Sequence, residues 1–237
     1  QLKGLGTLQM ANLSSDDLGA LLTQQLASLA TAQLAAITTA RFATLGSDDV
    51  AALGTAQLRS LTTGQIAALD SADAAALGSA QVAALGNLQL AAIETADLVA
   101  LTTDALQGLK ATQMEGFSSR QLGALGTDQL LSLSSTQLRA LTDAQIDGFG
   151  SEDIAALGSA QIGALTTDQF AGLSTRQVAA LDSEDMPALG TAQVSVLGTA
   201  QLAALDTADA AALGTAQVAA LNAQQLRGME TADLAAL

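Results

Sequence analysis

The sequence predicts an all-α solenoid, a superhelix in which short capped helices alternate with tight turns. From Leu5 onward the chain consists of 29 consecutive octapeptides, called octads below, without insertion or deletion. With Leu5 as position 1 of the first octad, positions 1 and 6 are always apolar. No charged residue occupies position 1, 6 or 8 in any octad. We therefore expect these three positions to be buried.

A period of eight residues excludes one long helix and a sheet. Eight residues turn an α-helix by about 800°, so the leucine stripe would drift by about 80° per octad and face no single partner. In a strand, positions 1 and 6 would lie on opposite faces, and Ala, Gln and Leu are weak strand formers. A short helix in each octad avoids both problems, because position 6 and the following position 1 then lie three residues apart on one helix face.

The helix boundaries follow from the remaining positions. Position 3 is Ser or Thr in 25 octads, which predicts the N-cap. Position 2 is Gly in 11 octads, which is typical of the residue just after a helix end. Acidic residues at position 5, such as Asp73, then lie in the first turn, where the helix dipole favours negative charge. Pro187 at position 7 does not fit this scheme and could shift the register of its octad by one residue.

Helices of about six residues are unstable alone in water, so octads must bury their apolar residues against one another. We expect one continuous repeat array over residues 1–237, with the octads in residues 5–237. A longer period of 136 residues overlies the octads, because the segment beginning at Asp70 recurs from Asp206. Aspartates at position 5 recur at steps of three and four octads. Gene duplication explains the long period, and a coil of three to four octads per turn explains the steps.

Position 5 is Gln in 19 octads and Asp in eight. A polar residue that recurs so regularly predicts a stacked ladder, in which each amide bonds to backbone groups left free at the helix ends of a neighbouring repeat. We interpret these glutamines as structural and not as a ligand site.

The composition excludes several functions. The chain contains no His, Cys, Trp or Tyr, so it lacks the usual general bases, thiol nucleophiles and zinc ligands. Its net charge of −15 argues against nucleic acid or an anionic membrane as a partner, and the apolar runs are too short to insert into a membrane. We predict neither catalysis nor a cofactor.

Paired acids at positions 4 and 5 are the strongest candidates for metal binding. We interpret them as first-turn acids that complement the helix dipole, with a weak cation site such as Ca²⁺ as the alternative. The pairs are Asp16 with Asp17, Asp48 with Asp49, Glu152 with Asp153, and Glu184 with Asp185.

Strings such as LGTAQVAALGTAQLAALDTADAAAL resemble the Ala/Gln/Thr/Leu-rich repeat regions of large bacterial secreted or cell-surface proteins, which are loosely described as adhesin-like or haem-utilisation proteins. The resemblance implies an extracellular structural or adhesive role and places no catalytic residue on this chain. Only methionines could bind haem iron here, namely Met10, Met114, Met186 and Met229, and all four occupy positions 1 or 6, where core packing is the better interpretation.

The favoured function is therefore a structural protein of an extracellular filament, sheath or adhesin stalk on the bacterial surface, with other surface components as possible partners. Because the first and last octads are ordinary repeats, we expect an excerpt of a longer array or copies that associate end to end. The alternative is an ice- or surface-binding solenoid that uses rows of Ser and Thr. That alternative is weakened if capping occupies the hydroxyl groups at position 3.

Overall fold

The computed structural model describes residues 2–237, and this part of the chain contains helices and turns without any strand. Each octad forms one short helix, with few exceptions in its type and starting point. In its usual form the helix begins at position 3 and ends at position 6, 7 or 8, as in Thr39–Phe42, Ser15–Gly19 and Thr7–Asn12. The prediction of an all-α solenoid of short helices is confirmed.

The helices form two compact units, Gln1–Leu125 and Gly126–Leu237. The first unit begins with a 3-10 helix at Leu2–Gly4 and has another at Ala111–Gly116. Its α-helices α1 to α14 are, in order, Thr7–Asn12, Ser15–Gly19, Thr23–Ala27, Thr31–Ala35, Thr39–Phe42, Ser47–Ala51, Thr55–Ser60, Thr63–Ile66, Ser71–Ala76, Ser79–Val82, Asn87–Ala92, Thr95–Ala100, Thr103–Gln107 and Ser119–Leu122.

The second unit repeats this construction, with a 3-10 helix at Met186–Ala188. Its α-helices α15 to α27 are, in order, Thr127–Ser132, Ser135–Arg139, Asp143–Ile146, Ser151–Ala156, Ser159–Ile162, Thr167–Ala171, Thr175–Val178, Thr191–Val196, Thr199–Leu202, Thr207–Ala212, Thr215–Ala220, Ala223–Gly228 and Thr231–Ala236. None of the helices in residues 2–237 is both long and apolar enough to span a membrane.

The N-cap lies at position 2 and not at position 3, so that prediction is wrong by one residue. Thr62 at position 2 is extended, and its hydroxyl accepts a hydrogen bond from the backbone N–H of Gln65. Thr63 at position 3 is the first helical residue. Eleven position-2 side chains accept such bonds. They are Ser14, Thr62, Asp70, Thr102, Ser118, Ser134, Thr142, Thr166, Ser174, Asp206 and Asn222.

The glycines at position 2 are N-caps for the same reason. Gly54 has φ −70° and ψ 157°, an extended conformation that directly precedes helix α7. Glycine ranks just below Ser and Asp as an N-cap residue. The position-2 glycines therefore precede the start of one helix. The sequence-based interpretation, in which they follow the end of the previous helix, is wrong in this respect.

Buried side chains lie at positions 1, 5 and 6. Leu58 at position 6 and Leu61 at position 1 are 0% and 4% exposed, as expected from their apolar character. Position 8 is mostly half-buried, which corrects the prediction of full burial there. Its small residues serve close approach: a Cβ added to Gly108 would lie 2.6 Å from the Cβ atom of Ser79 in an earlier octad.

The octad of Pro187 keeps its register. It forms a 3-10 helix over Met186–Ala188 instead of an α-helix, because proline has no backbone N–H. Met186 and Leu189 remain buried, as in other octads. The expected one-residue shift therefore does not occur.

Helices that pack on each other are three octads apart along the chain, such as α4 on α7 in the first unit and α22 on α25 in the second. Hydrogen bonds described below also reach the end of the helix four octads earlier. Each octad thus contacts both the third and the fourth octad before it in the chain. The prediction of three to four octads per turn is confirmed within both units.

Candidate functional site: the glutamine ladder and the aspartate columns

The glutamine at position 5 joins each coil to the one before it. Gln177 is 2% exposed, and its side-chain Oε1 accepts a hydrogen bond from the backbone N–H of Ser174 at 2.8 Å. Its Nε2 donates to the carbonyl oxygens of Ile146 and Phe149, both at 2.9 Å. One amide therefore binds the start of its own helix and the end of a helix four octads earlier.

These partners are the backbone groups that short helices leave without intrahelical bonds. A helix of six residues has few internal bonds, so its free N–H and C=O groups are numerous and costly to bury. The glutamine side chain satisfies three of them with the one acceptor and two donors that it uses here. The predicted ladder of structural glutamines is confirmed in geometry, and we call this set of position-5 glutamines the glutamine ladder.

The pattern recurs throughout both units. In each case Nε2 donates to carbonyl groups 28 and either 30 or 31 residues earlier. The glutamines with this pair of bonds are Gln33, Gln57, Gln65, Gln81, Gln89, Gln113, Gln121, Gln161, Gln169, Gln177, Gln193, Gln201, Gln217 and Gln225. Arg41 at position 5 reaches the carbonyl oxygen of Ala11 in the same way.

Aspartate replaces glutamine at position 5 in two sets of packed helices, which we call the aspartate columns. The first column is Asp49, Asp73 and Asp97, next to or within helices α6, α9 and α12, which pack in that order. The second column is Asp185, directly before the 3-10 helix Met186–Ala188, with Asp209 on α24 and Asp233 on α27.

In Asp73, Asp185 and Asp209 one carboxylate oxygen takes over the role of the glutamine Oε1. The Oδ2 atom of Asp209 accepts the backbone N–H of Asp206 at 3.1 Å. Other members of the columns accept a hydroxyl from the coil three octads earlier: Ser71 donates to Asp97 at 2.8 Å and Thr207 to Asp233 at 2.7 Å. Sequence reasoning missed these hydroxyl bonds, although Ser or Thr 26 residues before each aspartate was a visible signal.

Three of the four acid pairs lie on the first turns of α2, α6 and α18, whereas Glu184 and Asp185 lie just before the 3-10 helix Met186–Ala188, so the first-turn prediction is wrong for that pair. Their position-4 members Asp16, Asp48, Glu152 and Glu184 are exposed. Hydrogen bonds from the Ser14 hydroxyl and backbone N–H to Asp17 hold the pKa of that carboxyl below its ordinary value.

The other three position-5 acids also have bonds within the fold. Asp49 accepts the hydroxyl of Thr23, Asp153 the N–H of Gly150, and Asp185 the N–H of Asp182. Across the described chain, no three acidic side chains are grouped in a way that could hold a metal ion. The alternative of a weak cation site stays a prediction.

The four methionines Met10, Met114, Met186 and Met229 are buried among the core residues. Phe42 and Phe170 at position 6 are likewise fully buried. These side chains fill the core of their units, as the pattern of positions predicted.

The ALTTAQ repeat family matches five stretches of the chain, residues 50–87, 90–127, 123–159, 148–183 and 178–215. Together these stretches cover more than half of the sequence, so the chain belongs to the ALTTAQ repeat family. A comparison with curated proteins found no match. The family agrees with the fold in assigning a structural repeat role.

Proposed function

We propose that the chain is a non-catalytic structural segment of an extracellular filament, sheath or adhesin stalk on a bacterial surface. The observation that supports this function is the glutamine ladder. The most regular polar side chains of the protein are buried and bonded to backbone groups of neighbouring coils. They are used to hold the repeat together and are not directed toward a substrate.

Association of coils from different copies is part of this proposal. Gln9 and Gln25 accept the N–H groups of Gly6 and Leu22, as ladder glutamines do. Their Nε2 groups have no acceptor among residues 2–237, and both side chains are exposed. They can donate to a preceding coil, whether that coil belongs to the same polypeptide or to a second copy stacked end to end.

Two measurements test the proposal. Antibodies raised against the chain should label the surface of intact source cells in immunogold electron microscopy, and external protease should remove the label. Label confined to the cytoplasm would overturn the extracellular role. Small-angle scattering at micromolar concentration should show particles that grow in length at constant width. A monomer at all concentrations would contradict the end-to-end association. The extracellular structural role would then be decided by the immunogold result alone.

An ice- or surface-binding solenoid is a second candidate, and one observation favours it. Because the N-cap lies at position 2, the hydroxyl groups at position 3 are not occupied in capping. Thr31 and Thr55, for example, are both exposed at equivalent positions three octads apart. Thermal hysteresis in a dilute solution of the chain would support this candidate, and its absence would exclude ice as the bound surface.

A further inference from the structure

The aspartate columns reverse the direction of hydrogen bonding between coils. Gln177 donates two bonds to carbonyl groups of the earlier coil, whereas Asp97 accepts one from the hydroxyl of Ser71. An ionised carboxylate has no hydrogen to donate, so it cannot form the pair of ladder bonds to carbonyl oxygens. The contact between coils therefore depends on a different set of interactions wherever aspartate stands at position 5.

These carboxylates are buried, except for the half-buried Asp49, and they are close to others of the same charge. Asp73 is 6% and Asp209 is 4% exposed. Asp73 experiences the charges of Asp70 in its own octad and of Asp97 on the packed helix α12. The helices α6, α9 and α12 contain acidic residues but no Lys or Arg.

The second column has the same electrostatics. Asp209 experiences the charges of Asp206, Asp182 and Asp185. Helix α27, which also packs on α24, adds Asp233 and is preceded by Glu230, again without Lys or Arg. On the helices that carry the columns the charged side chains are carboxylates alone, while α14, which packs on α12, adds the exposed Arg120.

Burial is the main cause that raises the pKa values of Asp73, Asp185 and Asp209 above the ordinary carboxyl value. A backbone N–H bond to each carboxyl lowers its pKa, as does a side-chain bond from Ser159 to Asp185, and neighbouring carboxylates raise the pKa further. A raised pKa means that the folded chain binds the proton more tightly than the unfolded chain does. The resulting stabilisation is complete below the ordinary carboxyl value and is lost as the pH rises through the raised value.

We propose that the aspartate columns are acid-responsive contacts between coils, more stable when Asp73, Asp185 and Asp209 are protonated and less stable when these three are ionised. Proton uptake from solvent removes the repulsion between stacked carboxylates and the cost of burying each charge. The neutral acid retains an oxygen that accepts the N–H of the residue at position 2. Mild acidification should thus strengthen the contacts in the two columns, in contrast to ordinary acid denaturation.

The test compares two triple variants with the same net charge. The column variant carries Asp73→Asn, Asp185→Asn and Asp209→Asn, which keep the shape of the side chain and remove its charge. The thermal midpoint of each protein is measured by circular dichroism between pH 7.5 and pH 3.5.

The control variant carries the same substitution at three exposed position-4 aspartates, so that it corrects for the overall charge. These are Asp104, Asp128 and Asp168.

At pH 7.5 the column variant should melt several degrees above the control variant, and the difference should shrink to nothing as the pH approaches 3.5. Equal midpoints at every pH would overturn the proposal, because the buried carboxylates would then carry no special cost. A lower midpoint for the column variant at pH 7.5 would also overturn it, since ionised carboxylates would then stabilise the coils.

A second measurement uses the unmodified chain and does not depend on how the variants fold. The side-chain carboxyl carbons of ¹³C-labelled aspartates are titrated by NMR and assigned. The pKa values of Asp73 and Asp209 should lie above the ordinary carboxyl value. If the pKa values of Asp73 and Asp209 lie at or below the ordinary carboxyl value, the columns are not acid-responsive.

Discussion

The side-chain amide nitrogen of Gln177 lies 2.9 Å from the carbonyl oxygen of Ile146, which precedes it by 31 residues. The same nitrogen binds Phe149, so a single side chain closes the gap between two coils. This relationship makes the amide hydrogens essential, because both partners are acceptors.

Gln177→Glu tests that requirement with little change in shape. The ionised glutamate would place a charge against two carbonyl oxygens and leave both without a donor, and each unsatisfied buried group costs about 1–3 kcal/mol. We expect the free energy of unfolding to fall by about 3 kcal/mol or more at pH 7, measured by urea denaturation. Gln107→Glu is the control, since Gln107 is exposed, and it should change little. If both variants lost a similar free energy of unfolding, the ladder bonds would not be what stabilises the coils.

The position of the N-cap can be tested with adjacent serines. Ser134 accepts the backbone N–H of Gln137 at 3.2 Å, whereas Ser135 is the first residue of helix α16. Ser134→Ala should cost about 1 kcal/mol, the usual value for loss of a serine cap. Ser135→Ala should be close to neutral, because alanine is the better helix former. If Ser135→Ala cost more stability than Ser134→Ala in urea denaturation, the N-cap would lie at position 3.

The buried face can be tested by a charge at position 1. Leu77 is 2% exposed, so Leu77→Asp would bury an unpaired carboxylate and should be severely destabilising, by about 4 kcal/mol or more. Arg59 is exposed, and its Nε lies 3.4 Å from the carbonyl oxygen of Ala84. Arg59→Ala should therefore lower the melting temperature only slightly. Comparable melting temperatures for the two variants would show that the face is assigned wrongly.

Close approach of coils at position 8 predicts opposite effects for substitutions at Gly108, which occupies that position, and at Gly19, which occupies position 7. Gly108→Ala would place a Cβ 2.6 Å from the backbone oxygen of Ser79, so the coils would have to move apart at a cost of about 1–3 kcal/mol. Gly19→Ala meets no atom within 4 Å and ends helix α2, so it should stabilise by up to about 1 kcal/mol. Differential scanning calorimetry should show the two melting temperatures moving in opposite directions.

The fold class and the ladder could be predicted because both follow from residue types that recur at fixed positions of the octad. Apolar positions 1 and 6 specify the buried stripe, and the recurrence of Gln at position 5 specifies a repeated amide partner. The helix start could not be placed as well, because Thr63 and Thr62 are both good caps by composition. What decides between them is Gln65, whose Oε1 accepts the N–H of Thr62 and so completes a capping box one residue earlier.

The hydroxyl bonds of the aspartate columns could not be predicted from the sequence for a different reason. The steps of three and four octads predicted which aspartates share a face. The hydroxyl bond from Thr23 to Asp49 depends on how closely coils approach, and that distance is set by small residues elsewhere in the octads. Position 8 was likewise assigned as buried because charge is excluded there, although close backbone contact excludes charge equally well.

The glutamine ladder has a direction, since the amide of the later coil always donates to carbonyl groups that were synthesised about 28 residues earlier. A ribosome delivers the acceptors first and the donor second, so each coil can dock as soon as it leaves the exit tunnel. No segment has to wait for a distant part of the chain. Translation itself can therefore lay down the array coil by coil, with folding keeping pace with synthesis however many octads follow.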